Sequence, residues 1–181
     1  MAVTGWRTVS RERSKHTRPD DPDTRTLASG TAWSFRVTDT PCYLVDREYT
    51  DAAGRFRFVI LEESLLALAR FRGKGTVAGT RAFAEMLEES TQLLPPGRKV
   101  MAIADLSELY KTPMRAQFIL GKWLLTRRSI CGRIAVVGAA AWERKLATAV
   151  FKLARLSDIG FFATQGEAQR YMGIEVEMPE L

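Results

Sequence analysis

The chain has 181 residues, 46% of them hydrophobic, and a formal net charge of +6, which suits one domain of ordinary size with a buried core. No apolar run approaches the roughly 20 residues that span a bilayer, and residues 1–26 lack the apolar centre of a secretory signal. We therefore expect a soluble, cytoplasmic protein.

Residues 1–38 are rich in Arg, Ser, Thr and Asp and poor in periodic apolar residues. This composition predicts a flexible basic N-terminal segment. Trp6 and Trp33 are the exceptions, and either is a candidate for docking on the domain or on a partner. The single histidine, His16, also lies here, and the chain has only two cysteines, so we expect no metal site and no cofactor.

The folded part is predicted to begin near Pro41 with three strands. Residues 42–48 predict the first strand, and residues 50–54 predict a turn. Residues 55–61, in which Arg and Phe alternate, predict a second strand that forms a hairpin with the first. Residues 65–73 predict a third strand, with a helix over 62–70 as the alternative.

From residue 77 onwards, helical patterns alternate with short apolar strands. Helices are predicted over 77–94, capped by Thr80, and over 113–128, 140–156 and 165–173. Strands are predicted over 99–105, 133–138 and 159–164. Such alternation implies βαβ units with right-handed crossovers.

The predicted fold class is therefore α/β, with a small mixed, mostly parallel sheet of about five or six strands and about four helices. One domain is expected over residues 39–174. The last residues, 175–181, are predicted to be a short acidic tail.

The junction after the strand at 99–105 is a candidate regulatory or binding loop, because ligands gather beyond the carboxyl ends of parallel strands. Its candidate residues are Asp105, Ser107, Tyr110, Thr112 and Arg115. Asp105 is interpreted as a strand-end carboxylate that caps nearby backbone N–H groups. Thr112 is either an N-cap or a phosphorylation site within reach of Arg115. Tyr110 is either an exposed contact residue or packed on the sheet edge.

The charge is concentrated in residues 112–155, which carry nine basic residues and a single acidic residue, Glu143. Such a block attracts an anionic partner, although it also suits the solvated outer faces of two helices. The predicted basic interaction surface consists of Lys122, Arg127, Arg128, Arg144, Lys145 and Lys152. Trp123 and Trp142, on the same helices, are interpreted as core residues.

Motifs of common enzyme classes are absent from the sequence. It has no Gly-x-Ser-x-Gly elbow, no Gly-x-Gly-x-x-Gly stretch, no phosphate-binding Gly-Lys-Ser/Thr loop and no Cys/His cluster. A carboxylate site formed by Asp105 and Glu108 is the alternative that stays open. We expect no catalytic residues.

The order of elements over residues 42–173 resembles the SpoIIAA-like family, also described as STAS/SEC14-type domains. The resemblance is carried by "IADLSEL" (103–109) and by the strand–helix–strand–helix pattern of residues 133–173, with its Gly138 turn. It implies a small bacterial domain that acts by binding. In anti-sigma factor antagonists a Ser in an Asp-Ser-Gly stretch is phosphorylated; the corresponding residues here, "LYKTPMRAQ" (109–117), lack that stretch.

The sequence and the resemblance together predict a non-enzymatic regulatory or scaffolding module. It is expected to bind a protein with an acidic surface through residues 105–115 and the basic helix faces. A second copy of the chain is another possible partner, and nucleic acid or a membrane surface is less favoured. The alternative function is a carrier or sensor of a small apolar or anionic, lipid-like ligand.

Overall fold

The computed structural model describes residues 7–8, 41–153 and 155–181. Apart from the two-residue strand at 7–8, the predicted N-terminal segment, with Trp6, His16 and Trp33, lies outside the described residues.

Strands and helices alternate in the described part of the chain after an initial run of strands. The strands are β1 Arg7–Thr8, β2 Tyr43–Thr50, β3 Gly54–Leu61, β4 Leu66–Lys74, β5 Val100–Tyr110, β6 Cys131–Val137 and β7 Ile159–Phe162. The helices are α1 Val77–Thr91, α2 Met114–Thr126, α3 Ala141–Leu153 and α4 Gln165–Met172, with a short 3-10 helix at Arg128–Ile130.

These strands form one sheet whose spatial order, β1-β2-β3-β4-β5-β6-β7, is the order of the chain. The pairs from β1 to β4 are antiparallel, and the pairs from β4 to β7 are parallel. The predicted α/β class with a small mixed sheet is confirmed. Its parallel pairs make up half of the sheet, because β2, β3 and β4 are joined by turns and the later strands are joined by helical crossovers.

The strand order also determines where the helices lie. Each parallel crossover moves one strand further in the same direction, and crossovers of one hand then place their helices on one face. Accordingly α1, α2 and α3 cover the same face of the sheet, while α4 packs against β6 and β7 on the other face.

The second face is closed by α4 and by the residues that follow it. Met178, which is 5% exposed, packs in one cluster with Met172, Ile103 and Val137. Gln169 and Gln165 donate side-chain hydrogen bonds to the carbonyl oxygen of Val176. The segment 175–181, predicted to be a tail, is therefore packed against the sheet, since its apolar residues complete the core beside α4.

Most elements begin and end within three residues of their predicted bounds. Residues 66–74 form a strand, so the alternative helix over 62–70 is wrong. Helix α1 is capped by Thr76 and not by Thr80, because the Thr76 hydroxyl accepts the Gly79 N–H at 2.9 Å. Thr80 lies inside the first turn, where its own hydroxyl donates to the Thr76 carbonyl oxygen.

The clearest difference from prediction is the length of β5. The strand was expected to stop at Asp105 but continues to Tyr110, because β4 also continues and pairs with it as far as Lys74. The predicted loop over 105–115 is therefore mostly strand. Helix α2 begins at Met114 with Pro113 as its N-cap residue, so the prediction that Thr112 caps this helix is wrong.

Candidate functional site: an apolar cavity beneath three helices

A cavity of about 300 Å³ lies between the sheet and helices α1, α2 and α3. Its floor is formed by strands β3 to β6, and its roof includes Leu87 of α1, Leu120 of α2 and Phe151 of α3. Most of the side chains that line it are apolar, although its border also includes charged residues such as Asp51, Arg55 and Lys74. Apolar clefts and cavities of about this size are typical of small-molecule sites.

Four alanines form the middle of the cavity floor. Ala67 lies opposite Ala102, and Ala69 opposite Ala104, in the parallel ladder between β4 and β5. Alternate residues of a strand share one face, so these methyl groups stand together beneath the helices. Larger side chains at these positions would fill the space. The sequence signal for the cavity is the pattern "LALA" (66–69) beside "MAIA" (101–104), and no cavity was predicted from it.

Small residues of α2 also leave space at the roof of the cavity. Ala116 and Gly121 are the buried residues of α2, and both line the cavity. At one side, Phe56, Phe71 and Phe83 pack edge to face or tilted, with ring centroids 5.0–5.5 Å apart. The cavity thus has one rigid aromatic wall and small residues above and below its centre.

Two polar side chains line the cavity near the start of α2. Thr112 Oγ1 and Gln117 Nε2 are buried and have no hydrogen-bond partner among the described residues. The Thr112 side chain packs against Gly75, where an added Cβ would lie 2.7 Å from its hydroxyl. In this conformation the buried Thr112 hydroxyl is not accessible to a kinase, so the structure does not favour its predicted phosphorylation.

Asp105 lies at the predicted junction and is 7% exposed. Its Oδ1 accepts hydrogen bonds from the Ser107 N–H at 3.0 Å and the Ser107 hydroxyl at 2.6 Å. Its Oδ2 lies 3.7 Å from Arg70 Nε. These contacts agree with the interpretation of Asp105 as a carboxylate that caps local backbone, and they engage the Ser107 hydroxyl as well.

Glu108, the other carboxylate of the proposed pair, is bound by two arginines of β4. Arg70 Nη2 donates to Glu108 Oε1 at 2.9 Å, and Arg72 donates to both carboxylate oxygens. The hydrogen bond from Arg72, together with the charges of both arginines, lowers the pKa of Glu108. A carboxylate held ionised in this way is a poor general acid.

The outer face of α2 carries large apolar side chains that were not among the predicted site residues. Met114, Phe118 and Leu125 are exposed, Phe118 to 58%. They follow one another at helical spacing on the solvent-exposed side of the helix. Tyr110, just before the helix, is 55% exposed; of its two predicted positions, the exposed one is correct. Arg115 is also exposed.

Most of the predicted basic surface is exposed to solvent. The exposed members are Lys122, Arg128, Arg144, Lys145 and Lys152. Arg127 is different because its guanidinium binds Glu88 of α1 through both carboxylate oxygens. Its charge is therefore paired within the protein, and its part in the predicted basic interaction surface stays a prediction.

Trp123 is half-buried, lines the cavity and donates its Nε1–H to Glu88 Oε2 at 3.1 Å. This position agrees with the prediction of a packed residue. The side chain of Trp142 lies outside the described part of the structure.

Two further features bear on the kind of site. Within residues 41–153 and 155–181, no helix has the length and apolar character needed to cross a membrane. The same residues contain no cluster of three or more His, Cys, Asp or Glu side chains arranged to hold a metal ion.

Comparison with known proteins gave one kind of match. No protein-family model matches the sequence, and no curated protein matches it. Among solved structures, the chain is similar to an uncharacterized protein of the DUF3478 family from Shewanella loihica PV-4, described as having a SpoIIAA-like fold. The identity is 18%, the match covers 67% of this chain and 96% of that one, and the TM-score is 0.48.

Proposed function

We propose that this protein is a non-enzymatic binding module whose cavity holds a small apolar ligand, as a carrier or sensor would. The observation that supports this most directly is the cavity of about 300 Å³ above paired alanines. Packed protein interiors contain few voids larger than a water molecule. Empty space of this kind beside a core is costly wherever it excludes water, at about 24 cal/mol per Å³.

The lining of the cavity restricts the kind of ligand. Its apolar walls favour a hydrocarbon chain or ring system, because each CH₂ group transferred from water contributes about 0.8 kcal/mol. Thr112 and Gln117 are the polar residues beside it whose buried atoms have no partner among the described residues. A ligand with one polar group would give these atoms a hydrogen-bond partner after a small side-chain rotation.

The test is titration with a fluorescent apolar probe, together with native mass spectrometry of the purified protein. Ala102→Leu places a larger side chain in the cavity floor, and we expect it to weaken probe binding at least about tenfold, or about 1.4 kcal/mol. The control is Ala52→Leu, which adds the same side chain in the exposed turn between β2 and β3. Equal probe affinity in the two variants, with both folded, would contradict the proposal.

A second candidate function is binding of a protein with an acidic surface, supported by the exposed apolar side chains of α2. Phe118 and Leu125 lie on the same helix as the exposed cations Arg115 and Lys122. Exposed apolar residues grouped beside charges are typical of protein interfaces. An acidic partner would complement these cations while it covers the apolar residues.

This candidate is tested by affinity capture from the native host. The double variant Phe118→Ser/Lys122→Glu is expected to lose a protein that the wild type retains. Arg81→Glu reverses the charge of an exposed residue on α1 and should retain it. Identical sets of captured proteins for the wild type and both variants would exclude the outer face of α2 as the interface.

A further inference from the structure

A second concave site lies at the edge of the sheet where β5, β6 and β7 begin, opposite the end that holds Asp105 and Tyr110. It is a cleft of about 470 Å³, bordered by four basic residues and one acidic residue. These residues are Lys99, Arg128, Arg133, Arg155 and Asp158. Cys131 lines both this cleft and the apolar cavity.

The topology explains why these cations meet. Lys99 immediately precedes β5, Arg128 begins the 3-10 helix before β6, and Arg155 lies between α3 and β7. The starts of neighbouring parallel strands lie at one edge of a sheet. Gly132 lines the cleft without a side chain. A Cβ there would lie 3.0 Å from the Val100 carbonyl oxygen and 3.6 Å from Lys99 Cβ.

One of the four cations is already held in place. Arg133 Nε donates to Asp158 Oδ2 at 3.3 Å, and its Nη1 donates to the Tyr171 carbonyl oxygen at 3.1 Å. Its guanidinium carbon lies 5.2 Å from the centre of the Tyr171 ring. Arg133 therefore compensates the single acidic residue of the cleft.

The other three cations, Lys99, Arg128 and Arg155, are exposed and have no ion-pair partner among the described residues. The cleft thus has a surplus of positive charge. The positive charge also acts on Cys131. Burial raises the pKa of the Cys131 thiol to about 11, and the Lys99 ammonium acts in the opposite direction because it favours the thiolate.

Arg155 occupies an unusual backbone position. Its φ is 54°, in the left-handed region, where it ends α3 by donating its N–H to the Lys152 carbonyl oxygen. Glycine is the usual residue at such a position because it has no Cβ. An arginine there places a guanidinium at the cleft in spite of a disfavoured conformation, and such departures cluster at functional sites.

We propose that this cleft binds a phosphoryl group, carried by a free molecule or by a lipid headgroup. A phosphoryl group carries close to two negative charges and three acceptor oxygens, which matches a surplus of three cations better than one carboxylate does. Arginine guanidinium groups bind phosphate through two parallel N–H bonds. The cleft is larger than a phosphate ion, so it has room for part of the molecule that carries the group.

The test is calorimetric titration of the full chain with inorganic pyrophosphate at physiological salt. Arg128→Gln/Arg155→Gln is expected to weaken binding at least about tenfold. Arg144→Gln/Lys145→Gln removes the same charge from exposed residues of α3 that do not line the cleft, and it should bind within about twofold of the wild type. Absence of pyrophosphate binding by the wild type, or equal losses in the two double variants, would overturn the proposal.

Two measurements, vesicle retention and pyrophosphate binding, distinguish the two sources of the phosphoryl group. Vesicles of phosphatidylcholine with phosphatidic acid are compared with vesicles of phosphatidylcholine alone. Retention by the acidic vesicles that is lost in Arg128→Gln/Arg155→Gln assigns the site to a lipid headgroup. Pyrophosphate binding without vesicle retention assigns it to a free phosphorylated molecule. Ala102 does not border the cleft, so Ala102→Leu is expected to leave pyrophosphate binding unchanged. The two proposals can therefore fail independently.

Discussion

Gly138 brings the end of β6 against the backbone of Ser107 in β5. Its φ is 74°, and an added Cβ would lie 2.5 Å from Ser107 Cα and 2.6 Å from Ser107 N. Its N–H donates to the Phe162 carbonyl oxygen at 3.0 Å. Both the backbone conformation and the close contact therefore require glycine at this point, beside the carboxylate of Asp105 that holds Ser107.

We predict that Gly138→Ala lowers the free energy of unfolding by about 2 kcal/mol or more, because left-handed strain and backbone overlap act together. Urea denaturation followed by circular dichroism measures it. Gly166→Ala is the control: this residue lies in α4 with nothing within 4 Å of an added Cβ, and alanine favours helix by up to about 1 kcal/mol. Similar destabilisation by both changes would show that the contact with Ser107 is unimportant.

Single residues were predictable where the interaction is local. Asp105 binds the residue two positions ahead of it, and such short-range contacts are apparent from sequence. Thr112 was not predictable, because its position depends on Gly75, which is distant in the chain and brought beside it by the pairing of β4 with β5.

At the scale of elements, Glu88 joins α1 to α2. Its carboxylate accepts hydrogen bonds from Trp123 Nε1 and from Arg127. The hydrogen bond from Arg127, with smaller contributions from Trp123 and from the Arg127 charge, lowers the pKa of Glu88. These contacts of Glu88 with Trp123 and Arg127 therefore help to hold α2 over the cavity.

We expect Glu88→Gln to lower the melting temperature at neutral pH and to lose this effect in acid. A carboxylate whose pKa is lowered by folding contributes stability above its unfolded pKa of about 4.3, and that contribution is lost as pH falls through the lower folded value. Thermal unfolding at neutral pH and at about pH 3 tests this. Glu85→Gln, on an exposed part of α1, should change little. A deficit for Glu88→Gln that persists undiminished at the acidic pH would refute the role of the charge.

The extent of β5 shows what an element-scale prediction lacks. The polar residues after Asp105 have the composition of a loop. They form strand because their backbone pairs with β4, and Glu108 accepts hydrogen bonds from Arg70 and Arg72 of that strand. Cross-strand charge pairs stabilise such a pairing. Neither partner is visible from the local pattern of β5 alone.

For the whole molecule, the two faces of the sheet are built differently. One is covered by α1, α2 and α3 with a cavity beneath them; the other is covered by α4 and the packed C-terminal segment. The alternation of helices and strands was enough to predict the class of fold. Neither the cavity nor the packing of residues 175–181 was predicted, because both depend on how distant side chains fill the space between layers.

Met178 tests the contribution of the C-terminal segment to the fold. Met178→Ala should lower the free energy of unfolding by about 2–3 kcal/mol, because it removes a buried side chain and leaves a cavity. Glu177→Ala, at the exposed neighbouring position, should lie within about 0.5 kcal/mol of the wild type. Chemical denaturation of both variants gives the comparison, and equal stabilities would mean that the segment does not support the core.

The linear strand order has a consequence for how the chain folds. Each strand pairs with the strands that precede and follow it in the sequence, so β2, β3 and β4 can assemble as a meander without waiting for later residues. Each crossover then adds one helix and one strand to an existing edge. Folding rates fall as the sequence separation of contacts grows. From β2 onwards this order pairs each new strand with the one before it in the chain, which lets the sheet grow in the direction of synthesis.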